Sequence, residues 1–346
     1  MIVFVIAGGS GTRLWPLSTH DYPKHLLKLT NELSLLQNTI KRVEQITSLE
    51  KVFVISEISH VKHVAKQLKE LHGDNILAEP GRRGTASCIA WALSEVNKRG
   101  LDRDEPILFL WADSLIHDNA GFAASALKAG EVATECKSIV FIGAEPTYPS
   151  TGFGYVKKGS QLDGWQGIYE FRGFVEKPDK KTAEKYYLSG DYLWNMGYMV
   201  GTLSQFEICF AEVAPNMKDR YERLVNATDI ASVYQSFEPI AIDYAFSEKL
   251  QRAYVLHGTF DWMDIGSFSD LHDVSICDDE GNHIAGSDIA LEDTANSFVR
   301  NETSLPVAVI GLDNVVVVCT KNGILAVNKN YAQKVGDVAK RLQEEK

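Results

Sequence analysis

Among the sequence features, a glycine-rich segment that directly follows a short apolar run at residues 2–6 restricts the possible folds of this chain most strongly. Three of the four positions 8–11 are glycine, so the backbone there can adopt positive φ and leave its N–H groups unobstructed. Arg13 adds a forked set of donors and Lys24 adds a mobile positive charge. We therefore expect a buried strand that opens into a phosphate-binding loop, formed by Ala7, Gly8, Gly9, Ser10, Gly11, Thr12 and Arg13.

The spacing of this loop differs from that of two common phosphate loops. A P-loop has Lys-Ser or Lys-Thr directly after its last glycine, whereas Thr12-Arg13 stands here. A dinucleotide fingerprint needs glycine or alanine three residues after Gly11, where this chain has Leu14. A tight turn that binds nothing is the alternative, but Arg13 and the Pro23-Lys24 pair favour a phosphate site.

Bulk properties narrow the class of protein. The net charge of −11 over 346 residues argues against a nucleic-acid-binding surface. The five cysteines are scattered and form no Cys-x-x-Cys pair, which argues against a disulfide framework or a zinc site. The apolar run at residues 2–6 is too short to cross a membrane. We expect a cytoplasmic protein with reduced thiols and no membrane partner.

The first half of the chain alternates strand-like and helical patterns. Apolar runs at residues 2–6, 51–56, 107–110 and 138–144 are separated by segments with apolar residues at helical spacing. This alternation predicts a Rossmann-like α/β fold, with a mainly parallel sheet and helices on both faces. Ligands of such sheets lie beyond the carboxyl ends of the strands, where Asp113 and the glycine-rich loop are expected.

The second half predicts a different organisation. Aromatic and glycine-rich sequence after residue 145 indicates loops and antiparallel strands, and the turn-forming segment 277–282 indicates a boundary. We therefore predict a catalytic domain at residues 1–275 and a small C-terminal β domain at 276–346, resembling a short β-solenoid. Its last element is a predicted helix with an apolar stripe of Tyr331, Val335, Val338 and Leu342, widened by Ala332 and Ala339.

The loop, together with residues 16–18 and 23–29, resembles the signature of sugar-nucleotide pyrophosphorylases, and of their mannose-1-phosphate guanylyltransferase branch in particular. The resemblance implies that Asp113 and Asp264 bind Mg²⁺, because the family places metal-binding aspartates in an Ala-Asp and a Trp-x-Asp-x-Gly element. Two carboxylates suit this cation, which completes its shell with water and phosphate. The chain departs from the family's Pro-Ala-Asp-His pattern at Trp111 and Ser114.

Two further groups of residues resemble substrate-binding segments of that family. Residues 79–86 resemble its base-binding Glu-Pro-x-x-Arg-Asn-Thr-Ala segment, with Gly84 in place of Asn, which implies Glu79, Arg83 and Thr85 for nucleotide binding. Thr85 is the expected N-cap of the following helix, and a glutamate can accept both donors of the guanine edge. The implied sugar-binding residues are Gly152, Gly154, Glu176, Lys177, Asn195 and Asp243, and Met196 replaces a family serine beside Asn195.

The resemblance implies an in-line displacement that converts GTP and α-D-mannose 1-phosphate to GDP-mannose and diphosphate, with Mg²⁺ as cofactor. The implied catalytic residues are Arg13, Lys24 and Lys177. Relatives of this kind often form homodimers. Two alternatives stay open: an enzyme for another sugar 1-phosphate or another nucleoside triphosphate, and a catalytically silent subunit that binds a nucleotide sugar.

Overall fold

The computed structural model describes residues 1–9 and 11–344, with side chains up to residue 342. The described strands, in chain order, are β1 (Ile2–Ala7), β2 (Val52–Glu57), β3 (Ile76–Glu79), β4 (Ile107–Trp111), β5 (Ser114–Leu115), β6 (Val140–Ala144), β7 (Tyr155–Gln161), β8 (Ile168–Val175), β9 (Tyr192–Gly201), β10 (Tyr254–His257), β11 (Met263–Asp264), β12 (His283–Gly286), β13 (Ile289–Glu292), β14 (Phe298–Asn301), β15 (Val307–Ile310), β16 (Val315–Thr320) and β17 (Gly323–Asn328).

Helices separate many of these strands, in agreement with the predicted alternation. The described α-helices are α1 (Leu35–Val43), α2 (Val61–Gln67), α3 (Gly84–Lys98), α4 (Asn119–Cys136), α5 (Lys180–Ser189), α6 (Leu203–Val213), α7 (Pro215–Val225), α8 (Ile230–Gln235), α9 (Ile242–Ala245), α10 (Phe268–Asp273) and α11 (Val335–Glu344).

The chain forms two compact units, each assembled from separate stretches of sequence. The first, which we call the sheet unit, comprises Met1–Ala7, Ile40–Trp111 and Ile116–Trp262. The second, which we call the loop unit, comprises Gly8–Thr39, Ala112–Leu115 and Met263–Lys346. The glycine-rich loop and Asp113 are therefore packed in the same unit as the C-terminal region, although long stretches of sequence separate them.

The sheet unit is built on one nine-stranded sheet with the strand order β3-β2-β1-β4-β9-β6-β10-β8-β7. Seven of the nine strands run in one direction, and only β8 and β9 are antiparallel to them. Strand β1 is buried along its whole length, as expected for a central strand covered on both faces. The predicted mainly parallel sheet is confirmed, as are antiparallel strands after residue 145.

Helices cover both faces of this sheet. On one face, Phe4 stacks on Phe53 and Phe109 with ring centroids 5.1 and 5.6 Å apart, in a core that also contains the apolar residues of α3. Neighbouring strand residues point to the opposite face because side chains alternate along a strand. There Phe122 of α4 packs edge-on against Tyr198 of β9. The predicted α/β layering is therefore confirmed.

The loop unit contains a short stack of parallel strands. Strands β12, β14 and β16 pair in parallel, with His283, Phe298 and Val316 in register, and β13 pairs in parallel with β15. Strand β17 then returns antiparallel to β16 and ends the stack. This arrangement agrees with the predicted C-terminal β region of solenoid type, followed by the terminal helix α11.

The predicted apolar stripe of the terminal helix is wrong in part. The large stripe residues are exposed, with Tyr331 at 55%, Val338 at 39% and Leu342 at 42%. The buried side of this region consists instead of small residues and one valine: Ala332, Val335, Gly336 and Ala339. The physical reason is close packing, because α11 lies against the turn Thr12–Leu14 and a Cβ atom on Gly336 would already be 3.1 Å from Cγ of Arg13.

Two observations bear on the surroundings of the protein. Among the described helices, none combines the length and the apolar character that a membrane crossing needs. All five cysteines are free thiols, two of them buried, as the scattered spacing predicts.

Candidate functional site

The glycine-rich loop begins directly after β1 and closes into a single 3-10 turn at Thr12–Leu14. Gly11 has φ +57°, and a Cβ atom there would lie 2.5 Å from Cβ of Lys24, so this position requires glycine. Gly9 also has positive φ, and Gly8 and Gly9 are exposed. The loop therefore presents backbone to solvent while its second half packs tightly on Lys24. Ser10, a predicted nucleotide-binding residue, lies outside the described residues.

Lys24 is the buried centre of an ion-pair network. Its Nζ lies 3.2 Å from Oδ2 of Asp113 and 2.8 Å from Oδ1 of Asp264, and Lys24 is only 6% exposed. Burial alone would lower the pKa of Lys24, but the charges of Asp113 and Asp264 outweigh it and raise that pKa above its ordinary value. The structure thus brings three predicted site residues into contact, and Lys24 is charged.

The two aspartates meet because short strands join their segments. Strand β5 pairs antiparallel with β11, and Ser114 lies opposite Asp264 in this ladder. Asp113 precedes Ser114 directly, so the pairing places both carboxylates on the same ammonium group. Ser114, which departs from the family pattern, is buried and has this backbone role.

A cavity of about 470 Å³ opens beside this network, wholly within the loop unit. Its lining includes Gly11, Thr12, Arg13, Lys24, Asp113 and Asp264. Arg13 is exposed and forms no hydrogen bond or ion pair with any residue that the structure describes. The cavity therefore combines an available guanidinium group with two carboxylates that are each slightly more than one-third exposed.

Several residues around this cavity were missed from the sequence. Gln333, Gly336, Asp337 and Lys340 of the C-terminal region also line it. Asp270 lies close by: its pKa is raised by burial and by the charge of Asp264. The sequence signal for residues 333–340 is a helical periodicity. Such a periodicity does not identify the element that the helix contacts.

The predicted base-binding segment lies in the sheet unit, where β3 ends at Glu79. The buried Tyr234 hydroxyl donates to Oε1 of Glu79 at 2.5 Å. Burial raises the pKa of Glu79, and the hydrogen bond from Tyr234 opposes that rise. Tyr234 therefore holds one oxygen of the carboxylate and leaves Oε2 for another donor.

Arg83 and Thr85 both make hydrogen bonds to the segment 235–242, and only the predicted N-cap role of Thr85 is contradicted. Helix α3 begins at Gly84 and has Arg83 at its N-cap, so the expected N-cap role of Thr85 is wrong. The Thr85 hydroxyl instead accepts a hydrogen bond from the backbone N–H of Ile242 at 2.8 Å. The Arg83 side chain donates to the carbonyl of Gln235 at 2.8 Å. Both side chains thus fasten the segment 235–242 to the start of α3.

The glycine at position 84, where the family has asparagine, has a clear physical reason. Its φ is +75°, and a Cβ atom there would overlap the backbone of Ile240, oxygen and nitrogen included. The backbone N–H of Ala86 also donates to the carbonyl of Ile240 at 3.2 Å. Glycine is needed here because another stretch of backbone lies directly against it.

Most of the predicted sugar-binding residues come together elsewhere in the sheet unit. A Cβ atom on Gly154 would lie 2.5 Å from Oε2 of Glu176 and 3.4 Å from Cβ of Asn195. Asn195 donates to Asp243 at 3.1 Å, and Lys177 pairs with Glu176 at 2.7 Å. Burial and the charge of Glu176 raise the pKa of Asp243 to about 6. These five residues form one polar cluster.

Gly152 and two departures from the family pattern, Trp111 and Met196, make contacts outside this cluster. The N–H of Gly152 donates to the hydroxyl of Ser150, within its own turn. Trp111, which departs from the family pattern, packs over Gly197, whose φ of +74° and missing side chain make room for the indole ring. Met196, which replaces a family serine, is buried at 3% exposure and so contributes packing.

Comparison with known proteins agrees with this fold. A family model described as nucleotidyl transferase matches residues 2–280, and one described as MannoseP isomerase/GMP-like beta-helix domain matches residues 286–342. The chain therefore belongs to the nucleotidyl transferase family, and it is a nucleotidyltransferase by fold and by sequence.

Individual relatives define the branch more closely. A mannose-1-phosphate guanylyltransferase of Klebsiella pneumoniae is 33% identical, over 99% of this chain and 74% of the relative. The xanthan biosynthesis protein XanB of Xanthomonas campestris pv. campestris is 35% identical, over 99% and 73%. A crystal structure from Thermus thermophilus, described as a mannose-1-phosphate geranyltransferase, has a TM-score of 0.87 at 30% identity and covers 99% of both chains. The chain belongs to the mannose-1-phosphate guanylyltransferase family.

Replacing Gly84 by alanine should destabilise the protein, because the new Cβ atom overlaps the backbone of Ile240 and the positive φ disfavours it. We expect a loss of more than about 1 kcal/mol in the free energy of unfolding, measured by urea denaturation. Gly81→Ala is the matched control, since its Cβ would make only an ordinary contact, 3.8 Å from Gln235. Equal effects of the two substitutions would contradict this account of Gly84.

Replacing Asp243 by asparagine should stabilise the protein at neutral pH. The wild-type carboxyl has a pKa of about 6 when folded against an ordinary 3.8, so its contribution to stability falls as pH rises through that window. The variant lacks this titration, and its stability relative to wild type should grow by on the order of 1–3 kcal/mol between pH 4 and pH 7.5. Urea denaturation across this range measures the difference; a pH-independent difference would refute the assignment.

Proposed function

We propose that this chain transfers GMP from GTP to α-D-mannose 1-phosphate, yielding GDP-mannose and diphosphate. The observation that carries the proposal is the loop-unit cavity, where Arg13 and the Lys24 network of Asp113 and Asp264 converge beside the glycine-rich loop. Full-length similarity to mannose-1-phosphate guanylyltransferases supports the choice of substrates.

The reaction requires the protein mainly to position the two substrates and to neutralise their negative charge. A phosphate oxygen of the sugar phosphate is already a nucleophile, so no covalent intermediate and no general base are needed. The loop from Gly8 to Thr12 provides backbone donors, and Arg13 binds the departing β- and γ-phosphates. Lys24 keeps the two carboxylates in place and lowers the negative charge that phosphates meet there.

A divalent cation fits beside this network. Each carboxylate is partly exposed, and Lys24 uses only one oxygen of each, which leaves Oδ1 of Asp113 and Oδ2 of Asp264. Within the described part of the chain, no group of three or more acidic, histidine or cysteine side chains is arranged to hold a metal. Asp113 and Asp264 would hold Mg²⁺, which would supply charge that reduces the repulsion between the reacting phosphates.

Guanine recognition is assigned to Glu79. Guanine presents its N1–H and exocyclic amine as adjacent donors, and a carboxylate is acceptor-only. The hydrogen bond from Tyr234 fixes one oxygen of Glu79 and favours its ionised form. Arg83 and Thr85, which we predicted to bind nucleotide, hold the backbone of this segment and so keep Glu79 in position.

Sugar recognition is assigned to the polar cluster around Asn195. Its Oδ1 accepts from the N–H of Gly197 and its Nδ2 donates to Asp243, so one N–H and one lone pair are left for hydroxyl groups. Gly154 lets a sugar approach the backbone next to Glu176. Lys177 is assigned to the sugar phosphate, and Gly152 to the turn that leads into this strand.

Three predictions, on cellular location, domain division and oligomeric state, complete the proposal. A cytoplasmic location is supported by five free cysteines. The division into residues 1–275 and 276–346 is supported by the family models, whose matches end at 280 and begin at 286. A homodimer stays a prediction from the family resemblance.

A substrate panel tests the function. Diphosphate release is measured with GTP, ATP, UTP or dTTP, each combined with several hexose and heptose 1-phosphates in the presence of Mg²⁺. We expect the GTP and mannose 1-phosphate pair to give the highest kcat/KM. Turnover with a different pair would assign the second function considered, another sugar-1-phosphate nucleotidyltransferase. Binding of GDP-mannose without diphosphate release from any pair would assign a silent subunit.

Removal of either charged group at the cavity should abolish most turnover. Arg13→Ala and Asp264→Ala are expected to lower kcat/KM for diphosphate release by at least about 10²-fold, because each group acts on phosphates in the transition state. Circular dichroism should show an unchanged fold for Arg13→Ala, since this side chain is exposed. Arg172→Ala, which removes an exposed arginine paired with Glu170, is the control and should keep full activity.

A further inference from the structure

The terminal helix α11 is attached to the glycine-rich loop through a glycine of its own. A Cβ atom on Gly336 would lie 3.1 Å from Cγ of Arg13 and 3.4 Å from Oγ1 of Thr12. The helix backbone thus packs directly on the two residues that follow the loop glycines. Val335 and Ala339, on either side of this contact, are buried and hold the helix in the same place.

This attachment places one face of the C-terminal region on the cavity. Gln333, Gly336, Asp337 and Lys340 all line it. Gln333 lies just before α11, and Lys340 follows Asp337 and Gly336 by three and four residues, so these α11 positions share one side of the helix. The face therefore belongs to the wall of the cavity that also contains Arg13 and Lys24. A helix fixed by backbone contact is a rigid support, so the positions of its side chains are defined relative to the loop.

Lys340 is the cation that this face contributes. It is exposed, and no side chain that the structure describes forms an ion pair with it. Lys24, by contrast, is neutralised by two carboxylates, which leaves Arg13 and Lys340 as the cavity's available cations. Lys334, six residues earlier, lies over the ring of Tyr331 and does not line the cavity.

We propose that Lys340 binds the departing diphosphate together with Arg13, so that the C-terminal region completes the phosphate site. The proposal rests on the proposed function and extends it to a residue outside the nucleotide-binding segments. The ligand class is an inorganic diphosphate or the β,γ-diphosphate part of a nucleoside triphosphate. Two cations on different elements, Arg13 in the turn Thr12–Leu14 and Lys340 in α11, suit such a ligand because it carries several anionic oxygens. Asp337, one turn before Lys340, limits the positive charge of this wall.

The test measures binding of inorganic diphosphate to the full chain by calorimetry, in the presence of Mg²⁺. We expect Lys340→Ala and Lys340→Gln to weaken diphosphate binding about five- to tenfold, a moderate effect because the group is exposed. Lys340→Arg should keep affinity within about twofold of wild type, since the charge is retained. Lys334→Ala is the matched control on the same segment and should bind diphosphate as wild type does.

A second ligand separates the diphosphate site from the rest of the nucleotide site. GMP has no departing phosphates, so its affinity should be the same for Lys340→Ala and for wild type. The inference is overturned if Lys340→Ala binds diphosphate as wild type does, if Lys334→Ala is weakened equally, or if wild type binds no diphosphate. Selective weakening in Lys340→Ala without diphosphate release from any substrate pair would uphold the site and reject the proposed function.

Discussion

The buried ion pair of Lys24 with Asp113 and Asp264 is the interaction on which the candidate active site depends. It joins residues that are 89 and 240 positions apart, and so it connects three segments of the loop unit. A buried ammonium group is costly unless it is paired, and removal of one partner from such a network leaves an uncompensated charge. The network therefore makes the loop, the two aspartates and the cavity beside them one structural element.

Close approach between distant segments also shapes the structure, and glycine permits it at positions that include Gly11, Gly84 and Gly336. Gly11 lets the loop lie on Lys24, Gly84 lets a distant backbone segment lie on the start of α3, and Gly336 lets the terminal helix lie on Arg13. At Gly11 and Gly84 a Cβ atom would overlap the neighbouring atoms, and at Gly336 it would make a tight contact of 3.1 Å with Cγ of Arg13. The glycine-rich loop, the start of α3 and the terminal helix are thus held by close contacts that glycine permits.

The predictions from sequence were correct where local chemistry decides the outcome. The apolar runs at residues 2–6, 51–56, 107–110 and 138–144 correspond to β1, β2, β4 and β6. Asp113 and Asp264 share a contact to Lys24, and their metal-binding role stays a prediction. They failed where a distant segment competes with a local preference. Thr85 has the residue type of an N-cap, but its hydroxyl accepts from Ile242 instead. Tyr331 of the predicted terminal stripe lies before α11 and is exposed, while Gly336 is the α11 residue that packs on Arg13 and Thr12.

Sequence alone specifies the class of fold and the family, and it predicts a phosphate-binding loop. These follow from hydrophobic periodicity and from residue types at short spacing, which act within a few turns of chain. Three contacts are visible only in the folded chain: Lys24 bridges the two aspartates, Tyr234 holds Glu79, and Lys340 lines the cavity beside the glycine-rich loop. Such contacts join residues far apart in the chain, and they depend on which surfaces pack together, a property that no local pattern encodes.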